Sequence, residues 1–172
     1  MFKTLKYTLL ALLAVTVCSC EKEEIGMTAT VDLAGEWMVS VDAVGPDGSV
    51  VMEDPFGLGN IQIITYNSAA NRPDELVVND LGGFWEFTVK VPCNVDAKVF
   101  GSDSWLDNMA YESKVKIFNG SVVFGGALTP SGMPADAIEF EVAFDDDENG
   151  AYGIDHYLVK GYRRTGLNGG AE

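Results

Sequence analysis

The 172-residue chain is poor in cysteine, histidine and positive charge. It has three cysteines and one histidine, and its 11 Lys and Arg residues stand against 26 Asp and Glu, which gives a net charge of −15. Three cysteines exclude a scaffold held by several disulfides. The acidic excess argues against nucleic acid or an anionic membrane face as an electrostatic partner. Stability must therefore come from an apolar core, which a chain of this length can bury in one domain.

The sequence also lacks an apolar run long enough to cross a membrane as a helix. Residues 8–17 (TLLALLAVTV) are apolar, but a spanning helix needs roughly 20 such residues. Lys3 and Lys6 precede this run, and V-C-S-C (17–20) follows it. A short positive region followed by a short apolar region is typical of a secretory signal peptide.

The end of this segment resembles a bacterial lipobox, in which the signal is cut before a cysteine that becomes acylated. The resemblance implies a signal peptide over 1–19, loss of Cys18 and acylation of Cys20. The run C-E-K-E-E (20–24) resembles the export signal of surface-exposed lipoproteins of the Bacteroidetes. That implies a lipid-anchored protein on the outside of the outer membrane. The alternative is an ordinary cleaved signal with incidental or disulfide-bonded cysteines.

From Leu33 onward the chain consists of short alternating segments separated by turn residues, as in all-β sandwiches and barrels. The alternation is clearest over 36–43, 84–91 and 137–144, where apolar and polar residues take turns. A closed barrel removes the exposed edges that an open sheet must protect. We therefore predict an all-β fold, a single antiparallel β-barrel of about eight strands over 33–168.

Turn and flanking segments complete the predicted organisation. Residues 45–48 (GPDG), Asn119-Gly120 and 129–134 (TPSGMP) indicate turns, the second of them within a hairpin. Residues 104–113 (SWLDNMAYES) fit either a short helix or a covering loop. We expect a flexible tether over 20–32, beginning at the acylated cysteine, and a disordered tail over 169–172.

Two motifs near opposite ends of the predicted domain carry a second resemblance. L-A-G-E-W-M-V occupies 33–39 and K-G-Y-R-R-T-G occupies 160–166. A G-x-W on the first strand with an arginine on the last resembles the lipocalin and calycin barrels, whose arginine lies across the tryptophan and closes one end. The resemblance implies barrel closure by Gly35, Trp37 and an arginine held by a cation–π contact. If Lys160 faces solvent, alternation favours Arg163 over Arg164.

The layout from the lipobox to the terminal G-Y-R-R-T-G is similar to that of small Bacteroidetes lipoproteins known as the lipid-binding putative hydrolase family. The resemblance implies a calycin-like barrel and lipid binding. It brings no catalytic motif to this chain.

The barrel interior is the first candidate site. Eight-stranded barrels are either filled by side chains or hold one small ligand. The aromatic residues expected to face inward, and so to line a ligand pocket, are Trp37, Trp85, Phe87, Phe140, Phe144 and Tyr157. The alternative is that these side chains simply fill the core.

The signs of enzymatic chemistry are weak. His156, preceded by Asp155, could serve a Ser–His–Asp arrangement, but the chain has no G-x-S-x-G elbow. If Tyr157 faces inward, His156 faces solvent. Cys93 lacks a positioned base and is expected to be a semi-buried thiol. We assign no catalytic residue, and no carboxylate pair stands out for glycoside hydrolysis.

The acidic run D-D-D-E-N-G (145–150) matches the first half of a calcium loop through Asp145, Asp147 and Asn149. His156 stands where the loop would need a bidentate glutamate. We interpret the run as an acidic hairpin turn and predict neither a metal nor a cofactor.

These observations favour a surface lipoprotein whose barrel binds a small apolar or lipid-like ligand. Its partners would be that ligand and, through the N-terminal anchor, the membrane, but not nucleic acid. The alternative is an interaction module of a cell-surface complex that acts through its loops. A hydrolase is the least supported hypothesis.

Overall fold

The computed structural model describes residues 26–165, so the predicted signal peptide, the predicted acylation site at Cys20 and the predicted tail over 169–172 lie outside the described residues. The described chain is built of strands, with one short 3₁₀ turn at Asn149–Tyr152. The strands are β1 (Gly35–Val44), β2 (Val50–Glu53), β3 (Ile61–Asn67), β4 (Glu75–Asn79), β5 (Thr88–Asn94), β6 (Val99–Phe100), β7 (Leu106–Asp107), β8 (Lys114–Leu128), β9 (Pro134–Phe144) and β10 (His156–Arg163).

Eight of these strands form a closed antiparallel barrel, as the sequence predicts. Their order is β1-β3-β4-β5-β6-β8-β9-β10, and β10 pairs back with β1. The closing ladder runs from Trp37 opposite Arg163 to Val44 opposite His156. β2 adds to the end of β1, and β7 pairs with the start of β8.

Alternation along the strands fills the interior. In β1, Trp37, Val39 and Val41 are at most 1% exposed, because successive side chains of a strand point to opposite faces. Phe140 and Val142 of β9 are fully buried in the same core. The core forms where these inward faces meet.

Residues 84–87 depart from the predicted strand. β5 begins only at Thr88, and Glu86 has a φ of 56°, which interrupts the extended backbone. Phe87 still points into the core and is 1% exposed. The apolar–polar alternation here belongs to a loop folded over the end of the barrel, not to a strand.

Asn119-Gly120 is not a hairpin turn. β8 continues through it, and its register with β9 shifts between Phe118 and Ser121, which makes the pair a β-bulge. Asn119 has a φ of 52°, the conformation that the Asn-Gly signal reflects. The β8–β9 turn lies at 129–133.

Residues 104–113 form a covering loop containing β7.

Strand directions sort the loops into two groups. One end of the barrel, here called the Trp37 end, is formed by the segments 26–34, 68–74, 95–98 and 129–133. The chain enters the barrel here, and Thr30, within the segment predicted as a tether, is fully buried.

The opposite end, here called the acidic end, is formed by the segments 45–60, 80–87, 101–113 and 145–155. Together these segments contain thirteen Asp and Glu residues and neither Lys nor Arg. The segments of the Trp37 end contain three Asp residues, one Arg and one Lys, so negative charge is concentrated at the acidic end.

Candidate ligand-binding site

The Trp37 end is sealed by Arg163. Its guanidinium lies 4.5 Å from the centre of the indole ring of Trp37, at cation–π distance. Nη1 of Arg163 donates to the Ala34 carbonyl at 2.6 Å, and Nη2 donates to the Asp32 carbonyl at 3.3 Å. A Cβ at Gly35 would lie 2.9 Å from Nη1. The glycine of G-x-W therefore leaves the space that the guanidinium occupies.

Further polar contacts fix this closure. Nε1 of Trp37 donates to the Thr65 hydroxyl at 2.8 Å, and that hydroxyl donates to the Leu33 carbonyl at 2.6 Å. Nε of Arg163 lies 2.9 Å from the Asp136 carboxylate, an ion pair without hydrogen-bonding alignment. All three residues assigned to barrel closure thus meet at one end of the barrel.

The structure places the six predicted ligand-binding aromatic residues at three levels along the barrel axis. Trp85, Phe87, Phe144 and Tyr157 cluster toward the acidic end, where the rings of Trp85 and Phe144 stack with centroids 4.7 Å apart. Trp37 packs under Arg163 at the other end. In between, Phe140 meets Phe100, a residue that the sequence analysis did not single out, at 5.7 Å.

These aromatic side chains fill the lumen. Trp37, Phe140 and Tyr157 have no exposed surface, so no water-sized space touches them. Phe87 and Phe144 are 1% and 5% exposed, and Trp85 is half-buried. In this conformation the side chains form a packed core, and binding of a ligand among them remains a prediction.

Phe56 and Phe84 complete the cover at the acidic end. Phe84 contacts the Tyr157 ring at 5.1 Å, and Phe56 contacts the Phe84 ring at 5.5 Å. The sequence did not predict either residue as part of the core. Phe56 lies in a Pro- and Gly-rich loop, and Phe84 lies in residues 84–87, which were predicted to be a strand but form a loop. Two rings from loops thus extend the aromatic core beyond the strands.

One buried carboxylate holds the covering loop in place. Asp80 is 1% exposed and accepts hydrogen bonds from the backbone N–H groups of Gly82, Phe84, Trp85, Glu86 and Phe87 at 2.8 to 3.0 Å. Such charge-assisted bonds are stronger than those between neutral groups. The loop that caps the aromatic cluster is therefore folded around a single side chain.

The acidic run 145–150 also serves this cover. Asp146 accepts from the indole N–H of Trp85 at 3.0 Å and from the Tyr111 hydroxyl at 2.6 Å. Asp147 accepts from the Tyr157 hydroxyl at 2.8 Å. Burial and this contact with Asp147 raise the pKa of Tyr157 well above its usual range. Across residues 26–165, no three His, Cys, Asp or Glu side chains are placed to hold a metal ion.

A cavity opens in the side of the barrel, where the wall is thinnest. Between β5 and β8 the wall consists of β6 alone, which is two residues long. The cavity here, called the side cavity below, is a depression of about 520 Å³ that is wide open to solvent, and it is lined by residues including Pro92, Cys93, Asn94, Val99, Phe100 and Ser121. Strand alternation gave no signal for it, since it arises from one short strand.

Phe100 separates the side cavity from the core. The residue borders the cavity, is only 4% exposed, and packs against Phe140 inside the barrel. A Cβ at Gly120 would lie 2.6 Å from the Phe100 ring. The glycine of the bulge therefore allows the ring to pack closely against β8.

Cys93 is the half-buried thiol that the sequence predicts, and it borders the side cavity. Its Sγ lies 3.4 Å from the Pro73 carbonyl, to which it can donate. Burial, followed by the negative charges of Asp74 and Glu75, raises the pKa of the thiol. Cys93 is therefore less reactive than an exposed cysteine.

His156 corrects the prediction of an exposed histidine. It does lie on the outer face of β10, opposite the inward Tyr157, but it is only 8% exposed. The ring of Phe118 covers it, Nε2 lies 3.3 Å from Glu141, and Nδ1 lies 3.0 Å from Asp155. Both ring nitrogens face carboxylates, and no serine of the described residues hydrogen-bonds to the imidazole. A Ser–His–Asp arrangement is not formed.

Comparisons with known proteins bear on the family. Within residues 26–165, no helix is both long and apolar enough to cross a membrane. No curated protein matches the chain. A family model described as lipid-binding putative hydrolase matches residues 22–168, which include the whole described barrel. The chain belongs to the lipid-binding putative hydrolase family.

Proposed function

We propose that the protein is an outer-membrane lipoprotein, acylated at Cys20 and exposed on the cell surface, whose barrel binds a small hydrophobic or lipid-like ligand. The family match supports lipid binding. The side cavity is the observation that supports a place for it, because its volume of about 520 Å³ falls within the roughly 300–1,000 Å³ of small-molecule sites.

The lining of the side cavity suits an amphiphile. Pro92, Val99 and Phe100 provide apolar surface, while the Asn94 and Ser121 side chains lie at the same cavity. An acyl chain would pack on the apolar side chains, and the polar groups would orient its polar end. The lumen itself is filled, so a ligand reaches it only if the Phe100 ring turns away from Phe140.

The test is native mass spectrometry of the chain from residue 21 onward, before and after incubation with mixed phospholipids and fatty acids. Ser121→Trp should fill the cavity and abolish stoichiometric lipid binding. Ser104→Trp, a matched change on an exposed residue of the acidic end, should bind lipid as the wild type does. If the wild-type chain stays free of lipid under all conditions, lipid binding is refuted for this chain.

The second candidate is an interaction module of a cell-surface complex, and the acidic end supports it. Trp105, Met109 and Tyr152 are 45%, 50% and 81% exposed there, among thirteen acidic residues. Exposed aromatic residues are enriched in protein interfaces. Replacing Trp105 and Tyr152 by serine should abolish recovery of a partner after cross-linking on intact cells. A hydrolase gains no support from His156, which faces two carboxylates.

A further inference from the structure

We infer that the protruding tip of the β8–β9 hairpin docks into the lipid bilayer, so that the Trp37 end faces the membrane and the acidic end faces away from it. The hairpin tip is defined here as residues 123–133. The inference rests on the proposed anchoring at Cys20, and it adds an orientation and a second membrane contact to it.

The hairpin tip extends beyond the barrel wall. The last pair between β9 and β10 is Ala137 with Tyr162, and β6 pairs with β8 only up to Ser121. Beyond these points the hairpin pairs only with itself, through Ala127 with Ala135 and Leu128 with Pro134. The tip can therefore insert into a lipid bilayer without breaking any strand pair of the barrel.

The large side chains that the tip exposes are apolar, and Ser131 is the exposed polar residue among them. Val123 is 54% exposed, Phe124 51%, Leu128 66% and Met133 46%. Exposed apolar residues scattered singly are ordinary, but a group on one projection marks a surface that is covered by something. Aromatic and aliphatic residues together are the set that inserts at the boundary between headgroups and acyl chains.

The hairpin tip differs in charge from the acidic end of the barrel. Residues 117–135 contain no charged side chain, which avoids the cost of carrying a charge into hydrocarbon. Asp136, which follows, is paired with Arg163 at 2.9 Å. The ammonium group of Lys98 lies 4.8 Å from the centre of the Phe124 ring, at the edge of the tip. The same ammonium group lies 3.7 Å from the Asp32 carboxylate, so it can contact lipid phosphate only by sharing or exchanging this ion pair while the ring inserts.

The path of the chain holds this end close to a membrane. Residue 26, where the described structure begins, belongs to the Trp37 end. Cys20 lies six residues earlier, a distance of at most about 20 Å for extended chain. Anchoring at Cys20 would therefore bring the hairpin tip within reach of the bilayer and keep the thirteen acidic residues of the other end away from it. The occupant that fits these facts is the bilayer.

The test compares two tryptophan substitutions at opposite ends. Phe124→Trp places the probe on the hairpin tip, and Tyr152→Trp places it on a residue that is 81% exposed at the acidic end. The mature protein is reconstituted in phosphatidylcholine vesicles that contain brominated lipid, and the wild-type emission is subtracted. We expect the Phe124→Trp signal to be quenched and shifted to the blue, while the Tyr152→Trp signal is unchanged.

A binding measurement adds a magnitude. For the chain from residue 21 onward, added to preformed vesicles, Phe124→Ser and Leu128→Ser should each weaken partitioning by about tenfold. Tyr152→Ser should leave it unchanged. Equal thermal melting temperatures of the variants and the wild type would show that the barrel is intact, which the free position of the tip predicts.

Three outcomes overturn the inference. Neither probe is quenched, both are quenched equally, or Phe124→Ser abolishes a dimer in solution while vesicle binding is unaffected, which would assign the tip to a second copy. The mass of the mature protein reports acylation of Cys20, and lipid retained in native mass spectra reports the side cavity. Failure of the proposed function is therefore visible separately from failure of the docking surface.

Discussion

Arg163 lies across the indole of Trp37 and, in the same position, donates to the carbonyl of Ala34. The two residues stand opposite each other in the ladder that closes the barrel. One side chain therefore ties the last strand, the first strand and the segment that enters the barrel. The role of Arg163 is therefore structural. The aromatic side chains that fill the barrel interior belong to the same core as Trp37.

Replacing Arg163 by alanine should destabilise the barrel by about 3 kcal/mol, because a cation–π contact and charged hydrogen bonds are lost together. Arg163→Lys should retain part of this stability. Arg164, whose ion pair with Glu36 is more exposed, is the matched control, and its alanine variant should lose about 0.5 kcal/mol or less. Urea unfolding measures all three, and equal losses for Arg163→Ala and Arg164→Ala would contradict the role assigned to Arg163.

Asp80→Asn should loosen the cover at the acidic end. The amide keeps one acceptor oxygen but loses the charge. Some of the five backbone N–H groups that donate to Asp80 would therefore lose their hydrogen bonds. We expect a loss of about 2–3 kcal/mol in unfolding free energy. Trp85 emission should shift to the red as its loop detaches.

The exposed Asp74, paired with Arg72 at the protein surface, provides the control for this measurement. Asp74→Asn should leave both the unfolding free energy and the emission spectrum unchanged, because surface ion pairs contribute little to stability. An Asp80→Asn variant with wild-type stability and emission would show that the loop is held by its aromatic contacts instead.

Much of this fold is readable from local pattern. Trp37, Val39 and Val41 face inward as alternation predicts, and so do Phe140 and Val142. Side chains alternate between the two faces of every barrel strand. The inward residues can therefore be predicted without knowing which strand is the partner. The family resemblance adds the closure and the lipid-binding expectation.

The errors arise where a long-range contact outweighs a local signal. Asn119-Gly120 has the sequence of a tight turn, but pairing with β9 on both sides keeps β8 continuous and converts the turn into a bulge. Residues 84–87 alternate like a strand while folding around Asp80. The side cavity exists because β6 is only two residues long. The length of β6 is set by packing, and the sequence around Val99 and Phe100 does not predict it.

Stability should fall at alkaline pH partly through Tyr157. Its pKa is raised in the folded state by burial and by Asp147, while an unfolded tyrosine titrates near about 10. This contribution is therefore fully present below pH of about 10 and is lost as the pH rises beyond it. In Tyr157→Phe the contribution is absent at every pH.

The difference in unfolding free energy between the wild type and Tyr157→Phe should accordingly narrow by about 1 kcal/mol between pH 8 and pH 11. Comparing the two proteins removes the effect of the other tyrosines and of the lysines. A difference that stays constant over this range would mean that Tyr157 titrates alike in the folded and unfolded chains.

Cys93 offers a direct probe of lipid in the side cavity, because its half-buried thiol borders that cavity. Its raised pKa leaves little thiolate at neutral pH, so iodoacetamide should react more slowly with the folded chain than with the chain unfolded in urea. A lipid that occupies the cavity should slow the reaction further, by about tenfold when its concentration is ten times Kd.

The control is Ser104→Cys in a Cys93→Ser background, which moves the thiol to an exposed residue of the acidic end. Its alkylation should not respond to lipid if binding is confined to the side cavity. Protection of both thiols would mean that the ligand covers or reorganises the acidic end as well. Protection of neither, with lipid bound in the native mass spectrum, would move the site away from β6 and into the lumen, where Phe100 and Phe140 would have to separate to admit it.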